Sequence, residues 1–372
     1  LAKLSPSQKN AALVVVALAF FTDMFLYYAL VPLLPEYCRR LGMGQMGAGV
    51  LFGSYAVAVL AGTFPLGRLG DRVGRRVPML WGLLGLGATT LLFTLTESFP
   101  LLVLARVLQG LSAAATWATG LAILADSFPA EERGKAMGTA FAFANLAVLI
   151  SPLVSGVLAD RFGMKAPFYV AAVLALLDAA ARAFLLHDPP REGPSEVLSF
   201  RALLSNETIL VYSGVMVLGA SMWGLFESTL PLDFDKRLSA SPSRIGVFFA
   251  AAAGIHMLTS PLVGRLSDRV GRKKVIMIGL VAAPFLIPLP AFLSSMPLLI
   301  TSMMALGLLT SFVISPASPG LADAVEASGS KSFGSAFSLL NVAYSVGMMA
   351  GPFVGSALAS LIGLPAALVG VG

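Results

Sequence analysis

Residues Gly67–Arg76 read GRLGDRVGRR, and residues 264–273 read GRLSDRVGRK. Eight of the ten positions are identical, and 197 residues separate the two copies, about half of the 372-residue chain. Each copy sets charged side chains and a few glycines between long apolar runs. A repeat of this period predicts two similar halves with the same elements in the same order. Hydrocarbon rejects arginine and glycine permits sharp backbone bends, so each copy is expected to be a tight turn between two membrane helices.

Composition points the same way. The chain is 57% hydrophobic and 12% charged, with a mean hydropathy of +0.86. A soluble protein of this size could not cover its surface with so few polar groups. The formal charge of +6 sits in short loops between apolar spans, which suits the anionic inner leaflet of a membrane and gives no reason to expect nucleic acid. One cysteine, Cys38, leaves no internal disulfide and no cysteine-based metal site. No phosphate-binding Gly-x-x-x-x-Gly-Lys loop and no His-Glu-x-x-His sequence occurs, so neither ATP-driven work nor an intramembrane enzyme is expected. No metal or other cofactor is expected.

Apolar windows predict twelve segments: 11–34, 46–66, 77–96, 101–125, 136–159, 167–186, 209–232, 245–263, 275–293, 297–321, 333–361 and 364 onward. The fold class is therefore an all-α polytopic membrane protein with two pseudo-symmetric six-helix halves, residues 1–186 and 207–372. The stretch 187–206, HDPPREGPSEVLSFRALLSN, is polar and rich in proline, and is expected to be the linker between them. The chain starts at Leu1, and the last apolar run ends at Gly372, short of the about 20 residues a span requires. Trimming at both ends and a twelfth helix only begun are the expectation. Alternate loops carry sixteen Lys and Arg on the side of the repeated stretches and seven on the other. The N-terminus, the linker and both repeated stretches are thus expected in the cytoplasm, with the protein in the inner (plasma) membrane.

Ionisable residues inside spans are functional candidates by default. Asp23 lies near the centre of the first span, with Phe20, Tyr27 and Tyr28 at helical spacing. A carboxylate at that depth can hold a proton or pair with an ammonium, and aromatic faces beside it attract cations. Glu227, with Trp223 one turn before it, takes the corresponding part in the seventh span. Asp178 has Arg182 four residues on, so an internal ion pair competes with a coupling role. Arg106 and Gln109 share a face of the fourth span, and a buried arginine must find a cavity or a carboxylate. His256 reads as a titrating group or as a hydrogen-bonded core residue. Asn145 and Asn341, at comparable repeat positions, offer neutral hydrogen bonds to a ligand or glue between helices.

The repeated stretch closely resembles the signature loop of the major facilitator superfamily, found between its helices two and three and again between eight and nine. RVLQG at Arg106–Gly110 is similar to the superfamily's Arg-x-x-Gln-Gly pattern in helix four. GMMAGPFVGS at Gly347–Ser356, with Gly351 and Pro352, resembles the Gly-Pro motif of its antiporter branch, and SPLVSG at Ser151–Gly156 keeps Pro152. The resemblance implies a gating latch between the halves made of Gly67, Asp71, Arg72, Arg75 and Asp126 with Gly264, Asp268, Arg269, Arg272 and Asp323. TDMFLYYALVPLLPEY at Thr22–Tyr37, ERGKAMG at Glu132–Gly138, APFYVAAVLALLD at Ala166–Asp178 and FESTLPL at Phe226–Leu232 are similar to the vesicular monoamine and acetylcholine transporters within the drug-proton antiporters. By that resemblance Asp23 contacts the substrate amine, Glu227 serves coupling and recognition, and Asp178 is a further essential acid. The family's helix-two lysine is Tyr55 here, and its helix-eleven aspartate is Asn341.

The expected activity is proton-coupled antiport of organic cations, aromatic or lipophilic amines above all, including multidrug efflux, by rocker-switch alternating access in a monomer. Asp23, Glu227, Asp178 and Arg106 would couple protons. Asp23, Tyr27, Glu227, Trp223, Asn145, Asn341 and Gln109 would meet the substrate. Two rivals predict otherwise: a uniporter or importer of a neutral nutrient needs a polar cavity and no Asp23, and a membrane receptor or scaffold needs neither repeat nor latch.

Overall fold

The computed structural model describes residues 5–185, 206–327 and 333–372. All the regular structure among them is helical, and eleven helices are long and apolar enough to cross a membrane. Ser5 starts α1 (Pro6–Ala29) through a capping box with Gln8. At Leu30 the helix yields to one 3-10 turn, Val31–Leu33, before α2 (Leu34–Arg40) resumes the span. Pro32 and Pro35, which have no N–H to give the ladder, lie at this break. The chain continues with α3 (Gln45–Val73), α4 (Arg76–Leu95), α5 (Phe99–Ser127), α6 (Ala130–Phe162) and α7 (Ala166–Leu185). After Asn206, whose side chain caps Thr208 and Ile209, come α8 (Glu207–Leu238), α9 (Pro242–Val270), α10 (Arg272–Leu286), α11 (Leu289–Phe292), α12 (Met296–Ala327), α13 (Phe333–Ile362) and α14 (Leu364–Val371).

The repeated stretches are not the loops the sequence suggested. Residues 67–73 are the last turns of α3, and 264–270 those of α9. The reversal is made at single glycines, Gly74 at φ 103° and Gly271 at φ 98°. A left-handed glycine ends each helix at once, and no longer loop is needed. Gly67 and Gly264 stand inside helices, where an added Cβ would meet nothing closer than 4.0 Å.

Two compact units make up the chain. The first holds residues 1–42, 54–193 and 241–246; the second holds 43–53, 194–240 and 247–372. The starts of α3 and α9, residues 43–53 and 241–246, are each assigned to a unit other than that of the rest of their helix. Glycines let those segments seat closely: in the second unit Gly49 lies against the Pro352 carbonyl and Ser356, and Gly53 against the Phe353 ring. In the first, Gly246 lies against the Pro152 carbonyl. The expected linker, 187–206, falls outside the described residues apart from Asn206.

Each unit has a tight seam. In the first, α6 lies on α1: the hydroxyls of Ser151 and Ser155 donate to the carbonyls of Phe25 (2.5 Å) and Ala29 (2.6 Å). In the second, α13 lies on α8 through Gly347 and Gly351, which face the Val217 and Ser221 carbonyls, and Gly355, which faces Leu225. The antiporter-like Gly-Pro motif is thus a small-residue packing seam, with the Pro352 ring against Gly224. Replacing Gly351 by Val is expected to lower stability by about 1–3 kcal/mol, because the added Cβ is directed at the α8 backbone. Thermal unfolding in detergent, with the surface change Val354→Ala as control, measures it.

Candidate functional site

The helices of the first unit bring Asp23, Tyr27, Tyr55, Arg106, Gln109 and Trp117 together. Asp23 is only 2% exposed, yet it is not inert core. Its Oδ2 accepts from Trp117 Nε1 at 2.9 Å and from the Tyr55 hydroxyl at 3.3 Å. Its Oδ1 is buried and has no hydrogen-bond partner among the described residues. The carboxylate is therefore held by one oxygen and unpaired at the other. Trp117 is fixed in turn by stacking on Phe20, with centroids 4.0 Å apart and planes at 12°.

Arg106, fully buried, lies on an aromatic wall. Its guanidinium is 5.0 Å from the Tyr27 ring centre, 5.7 Å from Phe93 and 6.0 Å from Tyr55, and Nη1 donates to Gln109 Oε1 at 2.8 Å. Cation–π attraction replaces part of the hydration that the guanidinium has lost. The glycine of RVLQG explains how α5 comes so near: a Cβ on Gly110 would run into the Tyr55 carbonyl of α3. Tyr55 thus connects the two charges, since its ring faces Arg106 and its hydroxyl reaches Asp23.

Asp178 and Arg182 form a bidentate ion pair within α7, at 2.8 Å and 2.5 Å, both side chains essentially unexposed. Arg182 Nη1 also donates to the Met79 carbonyl of α4. The charge of Asp178 is spent on this tie between two helices.

In the second unit Glu227 is fully buried on α8, with Trp223 one turn before it. Its place does not repeat that of Asp23. Pro32 and Pro231, 199 residues apart, put Glu227 opposite Tyr28; the backbone approaches of the two seams, Phe25 against Ser221, put it opposite Val31. Glu227 is thus five to eight residues further along its helix than Asp23 is along its own, about 8–12 Å at 1.5 Å per residue. The two asparagines are not equivalent either. Pro152 and Pro352 are 200 residues apart, which pairs Asn341 with Phe141, and Asn145 with Ser345. Asn145 is exposed and Asn341 half-buried, and neither has a hydrogen bond to the other candidate residues among those described.

Of the residues expected in a latch, two pairs meet, each inside one unit. Arg75 Nε meets Asp126 Oδ2 at 3.3 Å, and Arg272 Nη1 meets Asp323 Oδ2 at 2.7 Å, with Asp268 at 3.7 Å. The two pairs are related by the same 197-residue shift that defines the repeat. Arg72 and Arg269 are exposed and make no ion pair among the described residues, and the Asp71 side chain lies outside them.

Trp117 escaped the sequence reading, although a signal was present. It follows Arg106 by 11 residues, three helical turns, and so shares its face of α5. In the sequence Tyr55 stands out only as the residue at the position of the family's helix-two lysine.

Comparison with known proteins assigns the class. The Major Facilitator Superfamily model matches residues 16–233 and 212–372, so the chain belongs to that superfamily of membrane transporters. It is 30% identical to an uncharacterized MFS-type transporter of Schizosaccharomyces pombe over 91% of this chain and 87% of the relative. It is 29% identical to the chromaffin granule amine transporter of Rattus norvegicus over 87% of this chain and 63% of the relative. Against the vesicular acetylcholine transporter of Drosophila melanogaster it is 26% identical, over 97% and 68%. The chain spans less than two thirds of the length of the rat amine transporters that it matches. In fold it resembles a bacterial homologue of the human lysosomal transporter Spinster, with a TM-score of 0.82 at 15% identity over 96% of this chain and 84% of the other. The nucleoside transporter NupG follows at 0.76 and 15%, over 97% and 95%. The chain is a multi-pass membrane transporter and not an enzyme.

Proposed function

We propose that this transporter exchanges protons for organic cations, with aromatic or lipophilic amines as substrates. The observation that carries the reading is the half-satisfied carboxylate of Asp23. Trp117 and Tyr55 hold Oδ2, and Oδ1 is left to take either a proton or an ammonium. One buried negative charge stabilises one of the two at a time, and that competition is the coupling. The relatives named for amines and acetylcholine agree with a cationic substrate.

Arg106 and Gln109 set the electrostatics of the Asp23 site through Tyr55 and Tyr27. Glu227 supplies a second carboxylate at its own level in the second unit. Alternating access carries the loaded site from one face to the other by rocking of the two bundles, and the Arg75–Asp126 and Arg272–Asp323 staples keep each bundle's cytoplasmic end rigid while it moves. The excess of basic residues supports a cytoplasmic position for those ends and the N-terminus.

The test is uptake of a radiolabelled aromatic amine into proteoliposomes under an imposed pH gradient. Accumulation that follows the gradient and collapses with it is expected. Flux indifferent to the gradient, and equal in Asp23→Asn and Glu227→Gln, would move the search to neutral solutes.

A further inference from the structure

The break in the first span has no counterpart in the second unit. α1 ends at Ala29, one 3-10 turn follows and α2 starts at Leu34, whereas α8 runs unbroken from Glu207 to Leu238 through Pro231. Pro231 answers to Pro32, 199 residues earlier, and at that shift Pro35 answers to Phe234. One proline is thus carried inside a continuous helix in the second unit, and two prolines three residues apart divide the helix in the first. Pro35 falls in the first turn of α2, where its missing N–H would have no helical partner anyway.

α2 is a helix in its own right. Glu36 stands in its first turn and Arg39 and Arg40 in its last, the signs that a helix dipole favours, and Glu36 pairs with both at 2.7 Å. The two pieces are fastened to different neighbours within the first unit. On the α1 side, Ser155 of α6 donates to the Ala29 carbonyl, at the last residue before the break. In an unbroken helix that carbonyl would take the Leu33 N–H, which bonds Leu30 instead at 3.0 Å. On the α2 side, the Tyr37 hydroxyl donates to the Phe93 carbonyl of α4 at 3.2 Å. The Tyr37 ring lies edge-on to Phe93 and to Phe168 of α7, which stack on each other with centroids 5.2 Å apart. Phe93 is also part of the wall against Arg106. α1 therefore carries Asp23 on α6, and α2 is tied to the aromatic wall of Arg106.

A short 3-10 stretch inside a span, with separate anchors on its two sides, is the geometry of a hinge. We propose that the turn Val31–Leu33 is a joint of the transport cycle, at which α2 swings with the Phe93–Phe168 wall while α1 keeps its seat on α6. The Arg40 end of the span then moves without displacing Asp23. Residues 30–35 are all buried, so a packed piece moves as a body and the break does not fray. The joint does not rest on the amine reading, since it concerns the movement and not the solute.

The experiment compares Pro35→Ala with Pro35→Gly. Both restore an N–H and they differ by one methyl, but alanine favours a continuous helix like α8 and glycine does not. Cys38, buried in α2 and the chain's one thiol, reports the swing through its rate of alkylation by N-ethylmaleimide. Pro35→Ala is expected to slow both alkylation and uptake of a radiolabelled aromatic amine by about fivefold, the equivalent of about 1 kcal/mol, with an unchanged or higher melting temperature. Pro35→Gly is expected to stay near wild type in both. Wild-type alkylation in Pro35→Ala would overturn the joint, and slowed alkylation with undiminished uptake would remove it from the transport cycle. Equal losses in both variants, with lowered melting temperatures, would make the Pro35 ring a packing element and also overturn it. Absence of amine uptake in wild type would reject the amine reading instead, and the alkylation contrast would then decide the joint.

Discussion

Replacing Asp23 by Asn is expected to cut gradient-driven amine uptake by about 100-fold while leaving the fold intact. The amide keeps an oxygen that can accept from Trp117 and Tyr55, so the contacts that seat the side chain persist. What disappears is the charge and the ability to bind a proton. Losing one member of a buried ion contact costs about 2–5 kcal/mol, and each 1.36 kcal/mol is a factor of ten, which sets the scale. Trp117→Phe separates positioning from charge. Phenylalanine preserves stacking on Phe20 but gives Oδ2 one donor fewer, and uptake is expected to fall by about tenfold. Tyr55→Phe, which removes the longer bond, is expected to cost less. Uptake at equal protein incorporation, with helical content followed by circular dichroism, checks all three. Uptake by Asp23→Asn at the wild-type rate under the same gradient would remove Asp23 from the mechanism.

The fold was legible where the sequence repeats itself. The repeated decapeptide and the apolar windows locate each helix, though several ends lie six or seven residues from where the windows stop, because a bilayer admits only long self-satisfied helices there and charge, not helix end, closes a window. The same reasoning misjudged the decapeptides, since their charges suggested loop while the backbone stays helical up to Gly74 and Gly271. Charge marks where a helix leaves hydrocarbon; the positive-φ glycine marks where it ends. In the site, Asp23 and Arg106 were visible because ionised groups in apolar spans are costly. Trp117 and the contacts of His256 with Thr310 and Ser311 were not, as both depend on which helix faces which, and that is decided by long-range packing. Internal symmetry misled at Glu227 and at the asparagines, where the local period departs from 197 residues and moves a side chain along its helix, by one turn for the asparagines and by five to eight residues for Glu227.

Breaking the Asp178–Arg182 pair from one side is expected to cost about 3–5 kcal/mol of stability, more than Gly351→Val, because it strands a charge in a side chain at most 1% exposed. Arg182→Met leaves the Asp178 carboxylate alone in the core of the first unit. Asp178→Leu leaves the guanidinium with only the Met79 carbonyl as a hydrogen-bond partner among its described contacts. Two desolvated charges are also a burden in themselves, so the double variant Asp178→Leu with Arg182→Met, of similar volume and fully apolar, is expected to unfold near or above wild type. The melting temperatures of the four proteins in one detergent form the cycle that measures the coupling. Uptake by the double variant then separates structure from transport. Residual gradient-driven uptake in that stable protein fits an Asp178 whose charge is consumed in tying α7 to α4. A stable double variant with no uptake would return Asp178 to proton coupling, the role implied by resemblance to the vesicular amine carriers. Additive losses, with no recovery in the double, would mean that the two side chains contribute separately and that the pair is not what joins these helices.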